Sequence, residues 1–85
     1  MRKNYKVTFK VINSKEVTVN TKTRTFVSER YARSHITHEI GKFTLMTKGN
    51  SLFEMANEDN KITLIRIPAN KHWPKIVYIW TIEEL

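Results

Sequence analysis

The chain has 85 residues, 15 of them lysine or arginine and eight aspartate or glutamate, and it contains no cysteine. This length predicts a single small domain over residues 1–85, whose core contributes only ~3–5 kcal/mol to the stability of the fold. Because the chain has no thiol, disulfides and thiolate metal sites are excluded. The excess of positive charge lies in residues 1–48, which sum to +8, whereas residues 49–85 sum to −1. Such an asymmetric field favours a polyanion or an acidic protein as the partner.

Neither a membrane helix nor a targeting segment is predicted. No apolar run approaches the ~20 residues that a membrane helix needs, and Lys6 and Lys10 interrupt the apolar residues after the basic N-terminus. We therefore expect no membrane association. A chain without cysteine suits the reducing cytoplasm, that of the host if a phage encodes the chain.

The first two predicted strands form a hairpin. Residues 5–12 (YKVTFKVI) and 16–27 (EVTVNTKTRTFV) both alternate between two kinds of side chain, as half-buried strands do. A three-residue loop centred on Ser14 would place Phe9 opposite Val19. This register predicts one apolar face and one polar, basic face, and the basic face carries Lys6, Lys10, Lys22 and Arg24.

The predicted basic face contains a like-charge pair. The same register puts Lys6 opposite Lys22, and like charges directly across a strand pair destabilise a sheet. A local cost without compensation hints at function. The competing interpretation is a solvated face whose lysines block edge-to-edge aggregation.

A single helix is predicted after the hairpin. Ser28 suits the N-cap, Glu29 suits the first turn, and Gly41 is predicted to end the helix. Glu29 can also pair with Arg33 one turn later, which is ordinary on an exposed helix face. One apolar stripe consists of Ala32, Ile36, Ile40 and Phe43. Outside the stripe lie Arg30, Tyr31, Ser34, Thr37 and His38, which with Arg33 are types that contact phosphates and bases.

Four strands are predicted after the helix, at residues 42–48, 51–56, 61–67 and 75–82. The order β-β-α-β-β-β-β favours an α+β fold with one helix on a bent antiparallel sheet, or a small partly open barrel. The last strand, KIVYIWTI, is apolar on both faces and needs cover on both. One helix covers one face, so barrel closure or a second copy in a homodimer must cover the other.

The sequence predicts neither a metal site nor a catalytic one. His35 and His38 precede Glu39 in an H-x-x-H-E pattern that matches no zincin motif, and we interpret both histidines as solvated. The chain has two glycines and therefore no glycine-rich phosphate loop. We expect no cofactor and no enzymatic activity.

The preferred functional interpretation is a small non-enzymatic module that binds nucleic acid, either DNA or RNA. Phosphate contacts would supply the affinity, and an aromatic side chain would stack on a base. The alternative is a small regulatory or inhibitory protein, of phage or prophage type, that docks on an acidic host protein through an apolar sheet face and the loop of residues 68–74. The predicted nucleic-acid contacts are Lys6, Lys10, Lys22, Arg24, Arg30, Tyr31, Arg33 and Trp73.

Overall fold

The computed structural model describes residues 4–13, 15, 18–46, 51–68 and 75–85. The described residues form one helix and five strands, and each strand lies close to a predicted one. Their bounds are β1 (Tyr5–Ile12), β2 (Thr18–Phe26), α1 (Glu29–Met46), β3 (Ser51–Asn57), β4 (Lys61–Pro68) and β5 (Ile76–Glu84).

The strands form one antiparallel sheet in the order β2-β1-β5-β4-β3. β1 and β5 are neighbours inside it, and β2 and β3 are its edges. α1 connects the two edges: its length of ~27 Å, at 1.5 Å per residue, exceeds the ~19 Å that four strand spacings require. The predicted α+β class is confirmed, and the sheet is not closed into a barrel.

The helix is longer than predicted, and residues 42–46 of the strand predicted at residues 42–48 belong to it. α1 continues through Gly41 to Met46, so in the described part of the chain three strands follow it and the order is β-β-α-β-β-β. Phe43 explains the extension, because its ring stacks on Tyr78 with 4.6 Å between centroids. Burying this ring outweighs the low helix propensity of a single glycine.

The core lies between α1 and one face of the sheet. An aromatic cluster at its centre joins the helix to two strands. The centroid of the Phe9 ring lies 5.0 Å from that of Trp80 and 5.8 Å from that of Phe43. Most of the predicted helix stripe packs here. The buried residues are Val7, Phe9, Ala32, Ile36, Ile62, Leu64, Tyr78, Trp80 and Ile82.

The other face of the sheet, which we call the open face, also carries apolar side chains. β5 alternates as predicted: Tyr78 and Trp80 are buried beneath α1, whereas Val77 and Ile79 point the other way and are half-buried. Within the described ranges, neither the helix nor any strand packs on the open face. Its half-buried apolar residues include Ile12, Ile65, Ile67, Val77 and Ile79.

Candidate nucleic-acid interface

The register of the β1–β2 hairpin differs from the predicted one. Phe9 lies opposite Lys22, three residues beyond the predicted partner Val19, and Val7 lies opposite Arg24. An odd shift moves every side chain of a strand to the other face. Lys22 and Arg24 therefore lie on the helix side of the sheet, and the prediction that they share a face with the β1 lysines is wrong.

Phe26 explains the observed register. It turns toward α1 and packs against the core, whereas the predicted register would direct its ring away from the helix. An aromatic ring buries a large apolar area, so this orientation stabilises the hairpin. Because β2 is an edge strand, the stems of Lys22 and Arg24 can lie against the core while their charged ends stay in water.

Lys6 and Lys10 lie on the open face, opposite threonines of β2. The predicted like-charge pair of Lys6 with Lys22 does not form. On its other side Lys6 neighbours Glu83 of β5, and opposite charges across a strand pair stabilise a sheet. The two pairs of strand cations are thus on opposite faces, where one flat partner cannot contact both.

A groove, which we call the β2–α1 groove, runs between the edge strand and the helix. Core residues of β1 form its floor, β2 forms one wall, and two helix residues one turn apart form the other. The groove encloses about 260 Å³. Its lining consists of Val7 and Phe9 on the floor, Lys22, Thr23 and Arg24 on the strand wall, and His35 and Glu39 on the helix wall.

Glu39 is the acidic residue of this groove. Its Oε1 lies 2.7 Å from Nε2 of His35 and accepts a hydrogen bond from Nε1 of Trp80 at 3.4 Å, which is long for such a bond. Both contacts end on Oε1, and Oε2 has no partner among the described residues. The side chain of Glu39 is 25% exposed, so it anchors the helix to the core and still reaches the groove.

The prediction that both histidines are solvated holds for His38, which is exposed, but not for His35. The i, i+4 spacing of His35 and Glu39 was the signal for their pair, because such residues lie on the same helix face. Adjacent residues such as His38 and Glu39 are about 100° apart around the helix axis and therefore do not share a face.

Over the described part of the chain, no three His, Cys, Asp or Glu side chains are grouped to hold a metal ion.

Arg24 is held over an aromatic ring. Its guanidinium carbon lies 5.4 Å from the centroid of the Phe26 ring, which is within cation–π range. The same ring packs 5.0 Å from the imidazole of His35, so these three side chains tie the strand wall to the helix wall. A guanidinium stacked on its planar face keeps its N–H edge for an anion.

The predicted start of α1, with Ser28 as the N-cap, is confirmed. Arg33, one of the predicted nucleic-acid contacts, makes structural contacts close to it. The Oγ of Ser28 accepts a hydrogen bond of 3.2 Å from the backbone N–H of Tyr31. Arg33 pairs with Glu29 at 2.9 Å and donates from Nη2 to the carbonyl oxygen of Asp59 at 2.6 Å. Arg33 thus fastens the helix to the turn between β3 and β4, and its guanidinium is already engaged within the fold.

The residues predicted to lie outside the apolar stripe are exposed. Tyr31 is 62% exposed, and Arg30 is exposed as well. Trp73, the second predicted stacking residue, lies outside the described residues. The outward helix residues that line a shallow depression are Arg30, Arg33, Ser34, Thr37 and His38.

The comparisons with known proteins identify no relative. In the described part of the chain, no helix combines the length and the apolar character needed to cross a membrane. The chain matches no protein-family model, no curated protein and no solved structure.

Proposed function

We propose that the protein is a small non-enzymatic module that binds nucleic acid along the side of the molecule formed by β2 and α1. The observation that carries this proposal is the placement of Lys22 and Arg24. Both are exposed on an edge strand, on the same side of the sheet as the helix. β2 contains no acidic residue, so a phosphate backbone along this edge meets cations without an opposing charge on the strand.

Lys22 and Arg24 would supply the phosphate contacts. Side chains two residues apart on a strand point the same way and stand ~7 Å apart, so both can contact one sugar–phosphate backbone. Arg24 can bind a phosphate through two N–H groups, and its contact with Phe26 limits the freedom that it loses on binding. Contacts of this kind position a nucleic acid without reading its sequence.

The outward surface of α1 extends the proposed interface. Arg30 adds a third exposed cation, and Ser34 and Thr37 add hydroxyl groups that can donate to phosphate oxygens. The exposed ring of Tyr31 can stack on a base, which contributes ~1–3 kcal/mol where it occurs. Arg33 adds positive charge to this surface while it holds Glu29.

Salt-dependent binding tests this proposal. Fluorescence anisotropy with duplex DNA, single-stranded DNA and single-stranded RNA oligonucleotides should show affinity that falls linearly on a log-log plot against salt. The slope should decrease by ~0.7–0.9 for each phosphate contact that is lost. No detectable binding to any of the three at ~50 mM salt, where screening is weak, would refute the proposal.

Two double reversals localise the interface. Lys22→Glu with Arg24→Glu, and Lys6→Glu with Lys10→Glu, each lower the formal charge of +7 by four units. The double reversal on β2 should weaken binding at least tenfold. It should also flatten the slope of the log-log salt plot by about 1.4–1.8, which corresponds to two phosphate contacts. The double reversal on β1 should have a much smaller effect on binding and on the slope. Equal losses in both would mean that overall charge, and not the β2–α1 side, carries the binding.

The apolar open face favours a second candidate function, docking on another protein. Val77 and Ile79 are half-buried there beside Ile12 and Ile65. An apolar interface resists salt, and the β2 double reversal would then matter only at low salt. Affinity purification from an extract, with and without nuclease, separates the two functions: a protein that co-purifies after nuclease treatment supports docking.

A further inference from the structure

The β2–α1 groove carries charges of both signs, which a site for phosphate alone does not need. Lys22 and Arg24 form one wall, and the carboxylate of Glu39 belongs to the other. Glu39 would repel a phosphate placed between the walls. The groove is therefore suited to a ligand that carries an anion at one end and hydrogen-bond donors at the other. A nucleotide has both, in its phosphate and its base.

The size of the groove limits what it can hold. Its volume of about 260 Å³ lies just below the ~300–1,000 Å³ of sites for drug-sized ligands. One base can enter such a space, but a duplex cannot. Entry requires a base that is unstacked from its neighbours, as bases in single strands can be.

The free oxygen of Glu39 sets the chemistry that the groove selects. A carboxylate only accepts hydrogen bonds, and Oε2 lacks a partner among the described residues. The exocyclic amino groups of cytosine, adenine and guanine are donors, whereas thymine presents its O4 acceptor at the position of the cytosine amino group. Uracil has the same O4. In the pose that directs the cytosine amino group at Oε2, a thymine or uracil would place its O4 acceptor against the carboxylate.

We infer that the β2–α1 groove holds one unstacked base of a single strand and prefers bases that carry an amino group. This inference rests on the proposed nucleic-acid binding and names the part of the strand that the groove recognises. The backbone of the same strand lies on Lys22 and Arg24, and the amino group of the base donates to Glu39.

Cytosine and thymine hexamers provide the sharpest comparison. The two labelled DNA hexamers have the same length and the same phosphates, so their electrostatic contribution to binding is equal. Fluorescence anisotropy at low salt should show about tenfold tighter binding of the cytosine hexamer, the size expected of one hydrogen bond to a charged acceptor.

Glu39→Gln tests the role of the carboxylate. Glutamine can still accept the hydrogen bond from Trp80 through its amide oxygen, and it then presents its NH2 group, a donor, to the base in place of Oε2. The preference for cytosine should then fall to about twofold or less. Glu54→Gln is the matched control, because Glu54 is an exposed acid on β3 and the charge change is the same. The control variant should keep the preference.

The indole N–H of Trp80 gives a readout in the unmodified protein. It donates to Glu39, so its NMR resonance should shift when the cytosine hexamer is added and much less with the thymine hexamer. A Trp73→Phe variant assigns the resonance, because the chain has two tryptophans. This measurement decides the question even if Glu39→Gln does not fold.

The outcomes separate the inference from the proposed function. Equal binding of the two hexamers, a preference that survives in Glu39→Gln, or an unmoved Trp80 resonance overturns the base site and leaves nucleic-acid binding intact. Binding of duplex DNA without binding of either hexamer does the same. If no nucleic acid binds at all, the proposed function itself fails.

Discussion

The two faces of the sheet are built from the same alternating strands, yet they meet different surroundings. On the helix side Leu64 and Trp80 are buried beneath α1. On the open face Ile65 and Ile79 offer similar apolar area and stay half-buried. Alternation determines which residues share a face, but only an element packed on that face removes their area from water. The element that covers a face, and not the apolar content of that face, therefore distinguishes core from surface.

The cations follow the same division. Lys22 and Arg24 stand on the covered side, where the edge strand and the helix create a groove with aromatic and acidic groups. Lys6 and Lys10 stand on the open face, opposite threonines. A cation beside a groove can act together with other chemical groups, whereas a cation on a flat face acts through its charge alone. The helix side is therefore the better candidate for specific recognition.

Leu64→Ala and Ile65→Ala compare the two faces directly. The two residues are neighbours on β4, they lose the same number of carbon atoms, and they point to opposite faces. Leu64 is 2% exposed, so its substitution should lower the free energy of unfolding by ~2–5 kcal/mol. Ile65 is half-buried, so its loss should be nearer ~1 kcal/mol. Urea unfolding measures both, and equal losses would show that the open face is covered in solution.

Ile79→Lys tests whether a second copy supplies that cover, as the apolar open face predicts. Sedimentation at micromolar concentration should show a dimer for the unmodified protein and a monomer for the variant, because a charge cannot be buried unpaired in the interface. Met55→Lys is the control, since Met55 is 60% exposed and shares its face with Leu64. An unmodified protein that is monomeric throughout this range would exclude the homodimer.

Local patterns were sufficient to predict much of the fold, and tertiary contacts decided the rest. Alternation placed the strands, and the helical stripe placed α1, because both patterns depend only on nearby residues. The hairpin register depended on packing Phe26 against the core, and the helix end depended on packing Phe43 on Tyr78. Neither contact is visible in a short stretch of sequence.

The candidate site was predicted in part for the same reason. The exposed cations of β2 and α1 were found from composition and periodicity. The groove was not, since it exists only where the β2 edge meets the helix. The pairing of His35 with Glu39 was within reach of the sequence, because the two residues have helical i, i+4 spacing.

Ser28→Ala should weaken the N-terminus of α1, the helix that covers one face of the sheet. The Ser28 side chain accepts the hydrogen bond from the N–H of Tyr31, and losing an N-cap of this type costs ~1 kcal/mol. Thermal or urea unfolding should show this decrease in stability. Ser34→Ala is the matched control, because Ser34 is exposed on the outward helix surface and its substitution should change stability by less than ~0.5 kcal/mol. A variant Ser28→Ala as stable as the control would mean that this cap does not support the helix.

Gly41→Ala tests whether α1 continues far enough to cover Tyr78. Its expected effect on the free energy of unfolding is the smallest of these variants, but the sign of the change distinguishes the two possible helix ends. A Cβ added at Gly41 would meet nothing within 4 Å, and the residue lies inside α1. Alanine in a helix interior is more favourable than glycine by ~0.5–1 kcal/mol, so urea unfolding should show an increase of that size. If the helix instead ended at Gly41 in a left-handed cap, alanine would be strained there and stability would fall. A rise therefore supports a helix that carries Phe43 onto the sheet, and a fall would mean that the helix does not cover Tyr78.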